Sequence, residues 1–232
     1  GINHQSWVLS LRHRGQDLYP KLWDVLETHE SFVEDQVRAE MMRQFGYFVT
    51  ESTRHNAEYL PYFRRTPELC EQYGVPPRDE VSMENVRKRS RMKDTGLDDE
   101  GEAEVPPLRA SHEYASLIIE ARLAHDAFAF NGNVMNHGSI TNLPQNCCVE
   151  VPCVADAEGV RPTFVGDLPT QCAALNKTNI NVQELAVEAV LRRDKEAAFQ
   201  ACALDPLTAA VVPLPQLREM FEESCGLPKG RC

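Results

Sequence analysis

Residues Phe128–Pro152 read FAFNGNVMNHGSITNLPQNCCVEVP. Phe128 and Phe130 alternate with Ala127 and Ala129, a period of two that belongs to a strand. Cys147–Val154 is short, β-rich and bounded by Pro, and reads as a second strand. Between them stand Asn131, Asn133, Asn136, His137, Thr141, Asn142 and Asn146. A connection that only turns the chain needs about two to five residues. This one is much longer and carries amide and imidazole groups, which hydrogen-bond hydroxyl-rich ligands well. A long hairpin connection made of ordinary turn formers is the other reading of the same residues.

Outward from this stretch, Asp156–Gly159 reads as a turn between Val149–Val154 and Val160–Val165. Asn181, with Glu184 three residues on, reads as a helix cap, followed by an apolar face of Val182, Leu185, Ala186, Ala189 and Val190. Helices are expected at Lys195–Leu204 and Leu214–Cys225. Upstream, Ser111–Phe128 reads as a helix buried through Tyr114, Leu117, Ile118 and Ala121. Ser31 and Glu34 form a capping box for a helix to Phe45, with an apolar stripe of Val33, Val37, Met41 and Phe45. Trp7–Leu11 and Gly46–Thr50 read as short strands, residues 14–17 (RGQD) as a turn, and Pro20 as the start of a helix. Some helix is expected between Asp79 and Met92, and residues 93–107 are expected to be a flexible loop. Strands and helices mix irregularly and no repeat is visible, which points to an α+β fold of antiparallel strands packed on helices.

Composition narrows the function. The chain has 232 residues, 42% hydrophobic and 25% charged, as in a globular protein. A net charge of -11 argues against nucleic acid and against anionic membrane as partners. No apolar run approaches the length of a membrane span, and no leader peptide opens the chain, so a cytoplasmic location is expected. The opening GINHQSWVLSL lacks Met and is already rhythmic, which suggests a chain cut from something longer. Eight cysteines are present without a C-x-x-C pair, so reduced thiols are expected rather than a zinc site or a disulfide framework.

His55, Glu58 and Tyr59 fall at i, i+3 and i+4, which on a helical turn gives one face. An imidazole, a carboxylate and a phenol together suit proton transfer or the holding of a polyol. A surface hydrogen-bond cluster is the plainer alternative.

Four stretches carry a resemblance to a known family. They are GINH at Gly1–His4, RAEMMRQFGYFVTESTRHNAEYLPYF at Arg38–Phe63, NGNVMNHGSITNLPQNCCVEVP at Asn131–Pro152 and ALNKTNINVQELAVEAV at Ala174–Val190. With DPLTAAVV at Asp205–Val212, they resemble the C-terminal domain of glycoside hydrolase family 4, the NAD-dependent glycosidases. VTESTRHNAEY and CCVEVPC most resemble the α-galactosidase and α-glucosidase branch. The resemblance implies a domain like the C-terminal half of lactate dehydrogenase, spanning residues 1–232 and serving substrate, metal and dimerisation, with the NAD-binding domain upstream.

It also implies a chemistry that departs from paired-carboxylate glycoside hydrolysis. NAD oxidises the sugar at C3, a base removes the C2 proton, the aglycone is eliminated, water adds and the hydride returns. A divalent ion, typically Mn²⁺, sits on the C2 and C3 oxygens. His4 in GINH carries over as a metal ligand; the Cys ligand of the family lies upstream of this sequence. Tyr59 is the candidate base, and His55 and Glu58 orient substrate hydroxyls. Asn136 and His137 match the loop that lines the sugar pocket, and His137 stands where relatives acting on phosphorylated sugars carry Arg.

The expectation is therefore the C-terminal portion of an NAD- and Mn²⁺-dependent α-glycosidase, a homo-oligomer acting on a small α-glycoside and inactive without its NAD-binding half. A truncated non-catalytic homologue, acting as an oligomerisation or sugar-binding module, is the alternative. A plain dehydrogenase domain is disfavoured, because no His/Arg/Asp dehydrogenase constellation is present.

Overall fold

A computed structural model describes residues 1–32, 34–75, 113–124 and 126–226. The expected helix within 79–92 and the expected loop at 93–107 lie outside them.

The hairpin at the centre of the sequence forms. Strand β5 (Phe128–Met135) pairs antiparallel with β6 (Cys148–Asp156), and β6 pairs with β7 (Gly159–Pro162). Alternation decides the faces: Val149, Val151, Cys153 and Ala155 of β6 are buried, while the residues between them are less so. Opposite them, Phe130 and Val134 of β5 close the same face.

Two smaller antiparallel pairs precede this sheet. β1 (Trp7–Val8) pairs with β4 (Phe48–Val49), and β2 (Arg12–His13) with β3 (Gln16–Asp17). The β2–β3 turn places Arg14 and Gly15 at φ 48° and 82°, as a two-residue hairpin of right-handed twist requires. Helix α1 (Tyr19–Thr28) carries Pro20 in its first turn, where a missing N–H costs nothing.

Helix α2 (Gln36–Phe45) begins four residues later than the Ser31 cap predicts. A 3₁₀ turn, Glu30–Phe32, comes first and sets Phe32 edge-on to Phe48 in a small core with Leu26, Ala39 and Met42. That packing turns the chain before the helix starts. Val37 and Met41 of the expected stripe are fully buried. Helices α3 (Thr53–Tyr59) and α4 (Pro67–Gln72) follow.

Helix α5 (Ala115–Ala124) lies on β5 and β6, but of its expected buried side only Ala121 is buried and Ile118 partly so. Tyr114 and Leu117 are exposed; the Tyr114 ring stands beside Phe128 and Phe130 and its hydroxyl donates to the Asn131 carbonyl.

The largest departure is α6. It runs Thr170–Arg192, so Asn181 lies in mid-helix and caps nothing. The segment before Asn181, TQCAALNKTNI, is rich in polar residues. Asn176 and Asn179 are nevertheless buried, because each amide has a partner far away: Asn176 Oδ1 accepts from Trp7 Nε1, and Asn179 Nδ2 donates to Gln5 Oε1. This half of α6 joins the two main cores. Ala173 and Ile180 pack with Val149 and Val151, while Cys172 and Leu175 pack with Trp7, Met41 and Leu60. Helices α7 (Lys195–Leu204), α8 (Pro206–Val211) and α9 (Leu214–Cys225) complete the fold. The fold is α+β, antiparallel strands packed on helices, as the sequence suggests.

Candidate active site

His4 sits in a turn fixed at both ends. The Gln5 N–H donates to the Ile2 carbonyl, Ile2 is buried in the β6 core, and Gln5 is buried under α6. Ser6 then donates to both the Ile2 carbonyl and the Glu150 carboxylate. These anchors hold the backbone that carries His4.

Helix α3 brings its chemistry to the same place. His4 stacks on the Tyr59 ring at 5.1 Å and 20°, and meets the His55 ring edge-on at 5.2 Å. Glu51, two residues before α3, accepts from Ser52 N–H through Oε1 and lies 2.8 Å from His4 Nδ1 through Oε2. His55 Nδ1 is 3.6 Å from Glu51 Oε1 and has no hydrogen-bond partner among the described residues. Ligand atoms of His4, Glu51 and His55 fall within 4.8 Å of one another, partly buried, two nitrogens and a carboxylate. That donor set suits a divalent metal ion of the Mn²⁺ to Zn²⁺ series. By contrast, no described strand runs through a Gly-rich turn into a helix, so the described residues offer no cradle for a dinucleotide pyrophosphate.

The charges are unequal. Burial pushes the Glu51 carboxyl up, but the Ser52 hydrogen bonds and His4 outweigh it, and the group sits below the ordinary carboxylate range. The Tyr59 phenol is pushed above its ordinary value by burial, then by the carboxylates of Glu58, Glu51 and Asp205. Glu58 pairs with Arg64 Nη1 at 3.3 Å.

Asn136 and His137 stand in the loop between β5 and β6. Asn136 is fully buried: its Oδ1 accepts from Ile140 N–H at 2.7 Å, and its Nδ2 donates to the carbonyls of Ile140, Leu143 and Pro144. Its side chain is used to fold the loop, leaving no atom for a sugar. His137 is exposed, with φ 42°, followed by Gly138 at φ 91°, so the loop tip turns through two left-handed residues. Ring contacts thus bring His4, His55 and Tyr59 together.

Residues 1–208 match the family model described as the family 4 glycosyl hydrolase C-terminal domain. The chain belongs to glycoside hydrolase family 4. It is 43% identical to the α-galactosidase of Bacillus subtilis (strain 168) over 96% of this chain and 52% of that protein. It is 29% identical to the α-galactosidase of Rhizobium meliloti (strain 1021), again over 96% of this chain and 48% of that protein. The chain therefore spans about half the length of the curated relatives it matches. Among solved structures, lplD of Bacillus subtilis superposes with a TM-score of 0.75 at 25% identity, covering 96% of this chain and 54% of lplD. A 6-phospho-α-glucosidase from gut microorganisms, in complex with NAD and Mn²⁺, superposes at 0.66 with 21% identity, over 99% of this chain and 54% of that one. This second likeness speaks for the fold.

Within the family 4 frame, the residue that sequence reasoning passed over is Glu51. Its signal was present: it stands four residues before His55, the spacing already read for His55 and Tyr59. Its contact with His4 spans 47 residues and has no sequence signature.

Proposed function

We propose that this chain is the C-terminal portion of an NAD- and Mn²⁺-dependent α-glycosidase that cleaves O-glycosidic bonds by oxidation, elimination and addition. The observation that carries the reading is the cluster of His4, Tyr59 and His55, assembled from two distant segments. In this reading His4 is a metal ligand, with the Glu51 and His55 donors close by. A bound divalent ion supplies Lewis acidity that stabilises negative charge on the sugar oxygens. Tyr59 receives the C2 proton. Its phenol sits above the ordinary value in this chain, so it needs neighbouring positive charge to act as a base near neutral pH. His55 and Glu58 orient hydroxyls, Glu58 while held by Arg64. Asn136 contributes by shaping the loop that presents His137.

The 43% identity to an α-galactosidase supports an unphosphorylated α-galactoside as substrate, in line with His137 in place of Arg. NAD binding and turnover are assigned to an upstream half, since the relatives are about twice as long. A homo-oligomer in the cytoplasm fits this reading; no described helix is long and apolar enough to cross a membrane. The test is hydrolysis of aryl α-galactoside and aryl α-glucoside with Mn²⁺, NAD and a reductant, by this chain and by the chain extended with an NAD-binding half. Turnover by the extended chain alone, faster on the galactoside, is the expected result. Equal turnover by the short chain defeats the assignment of NAD binding, and none by the extended chain favours a non-catalytic sugar-binding or oligomerisation module.

A further inference from the structure

The geometry points to Glu51 as the residue that positions His4, by taking the Nδ1 hydrogen bond and so leaving Nε2 as the metal-binding atom. The inference rests on the reading of His4 as a metal ligand. Glu51 Oε2 lies 2.8 Å from His4 Nδ1. Its other oxygen is held at 2.8 Å by the Ser52 backbone N–H, so the carboxylate is fixed to the start of α3 rather than free to swing. An ionised carboxylate only accepts, so the proton of this pair belongs to Nδ1. A neutral imidazole protonated at Nδ1 has its lone pair on Nε2. Metal-bound imidazoles are commonly held this way, with the far nitrogen donating to a carboxylate.

The surroundings resist the opposite arrangement. Tyr59 covers one face of the His4 ring and His55 stands at its edge, so a ring flip that exchanges the nitrogens has to displace one of them. His55 does not compete for the carboxylate: at 3.6 Å its Nδ1 is beyond a hydrogen bond. The rival arrangement has Glu51 Oε2 and His4 Nδ1 both binding the ion directly. It leaves the proton on Nε2 once the ion is bound, so the tautomer of the metal-loaded protein separates the two.

The measurement is the ring ¹⁵N spectrum at a pH of about 8, where an ordinary imidazole is neutral, taken without metal and again with diamagnetic Zn²⁺. The expected result is His4 protonated at Nδ1 in the unaltered protein. Glu51→Ala should release the ring to a mixture rich in the Nε2–H form. Glu51→Gln, whose amide oxygen still accepts, should retain Nδ1–H. Titration with Mn²⁺, followed by paramagnetic broadening of the His4 ring signals, should require about 10-fold more metal in Glu51→Ala. A purely structural role moves the melting temperature but not the tautomer of a folded variant. An Nε2–H tautomer in the unaltered protein, or an unchanged tautomer in Glu51→Ala, overturns the proposal. If Glu51→Ala fails to fold, the unaltered protein and Glu51→Gln decide alone. Nδ1–H with no selective broadening by Mn²⁺, in the chain extended with its NAD-binding half, upholds the Glu51–His4 pair and overturns the metal reading instead.

Discussion

Asn136 shows how a single side chain can look like a binding group and be a keystone of its loop. Replacing it with Ala leaves the Ile140 N–H and up to three carbonyls without their partner in the interior. A stranded buried polar group costs about 1–3 kcal/mol, so Asn136→Ala should lower unfolding free energy by about 3 kcal/mol in urea titration. Asn136→Asp should be worse, since a carboxylate faces three carbonyls where an amide donor stood. A variant as stable as the parent would show that the loop has another frame. Tyr59 gives the opposite test. Tyr59→Phe keeps the ring that stacks on His4, so Mn²⁺ affinity should hold while turnover of the extended enzyme falls by about 10²-fold or more. Equal losses in both would place Tyr59 in the metal site and not at the proton. The sequence carried the types and spacing of His55, Glu58 and Tyr59. It was silent on where Glu58 turns, because that depends on Arg64, whose approach follows a bend after α3.

Among the elements, legibility followed the source of each element's stability. The β5–β6 hairpin and helices α7 and α9 were readable to the residue or nearly so, because local period and end signals agree. Helix α6 was not. Its first half is stabilised by amide partners on the β1 segment, and that long-range pairing overrides the cap read at Asn181. The same contrast predicts local stability. Amides from Cys172 to Ile180 lie between both cores and should exchange with deuterium only through global unfolding. Helix α9 buries only Leu217 and is tied to α7 by exposed pairs, Arg218–Glu196 and Lys195–Glu222, which add little in water. Its amides should exchange well before those of α6. Exchange of both helices at one rate would mean that the described fold opens as a single unit.

Across the whole molecule, the cysteines report on burial. The described thiols are all free. Cys148, Cys202 and Cys225 are exposed, while Cys70, Cys147, Cys153 and Cys172 are buried. The thiolate is the reacting form, and burial pushes the Cys172 thiol up to about 12 and raises those of Cys147 and Cys153. Maleimide at a pH of about 8 should label the three exposed thiols first, with the buried four labelled only after denaturant is added, as read site by site by mass spectrometry. Early labelling of Cys172 would mean that the junction of the two cores opens readily. The number of cysteines and their lack of pairing motifs were legible in the sequence. Their division into reactive and inert was not, since it depends on which strand face and helix side each one takes.

The anchors of the His4 turn also set a timetable for the ribosome. Ser6 reaches Glu150, Trp7 reaches Asn176 and Gln5 reaches Asn179, over separations of 144, 169 and 174 residues. At roughly 5–20 residues per second of synthesis, the partners of residues 5–7 emerge roughly 7 to 35 seconds after them. Throughout that interval His4 hangs on an undocked segment, and α3 waits beside it with Tyr59 uncovered. A nascent chain stalled before residue 179 should contain every residue of the cluster and none of its fixed geometry.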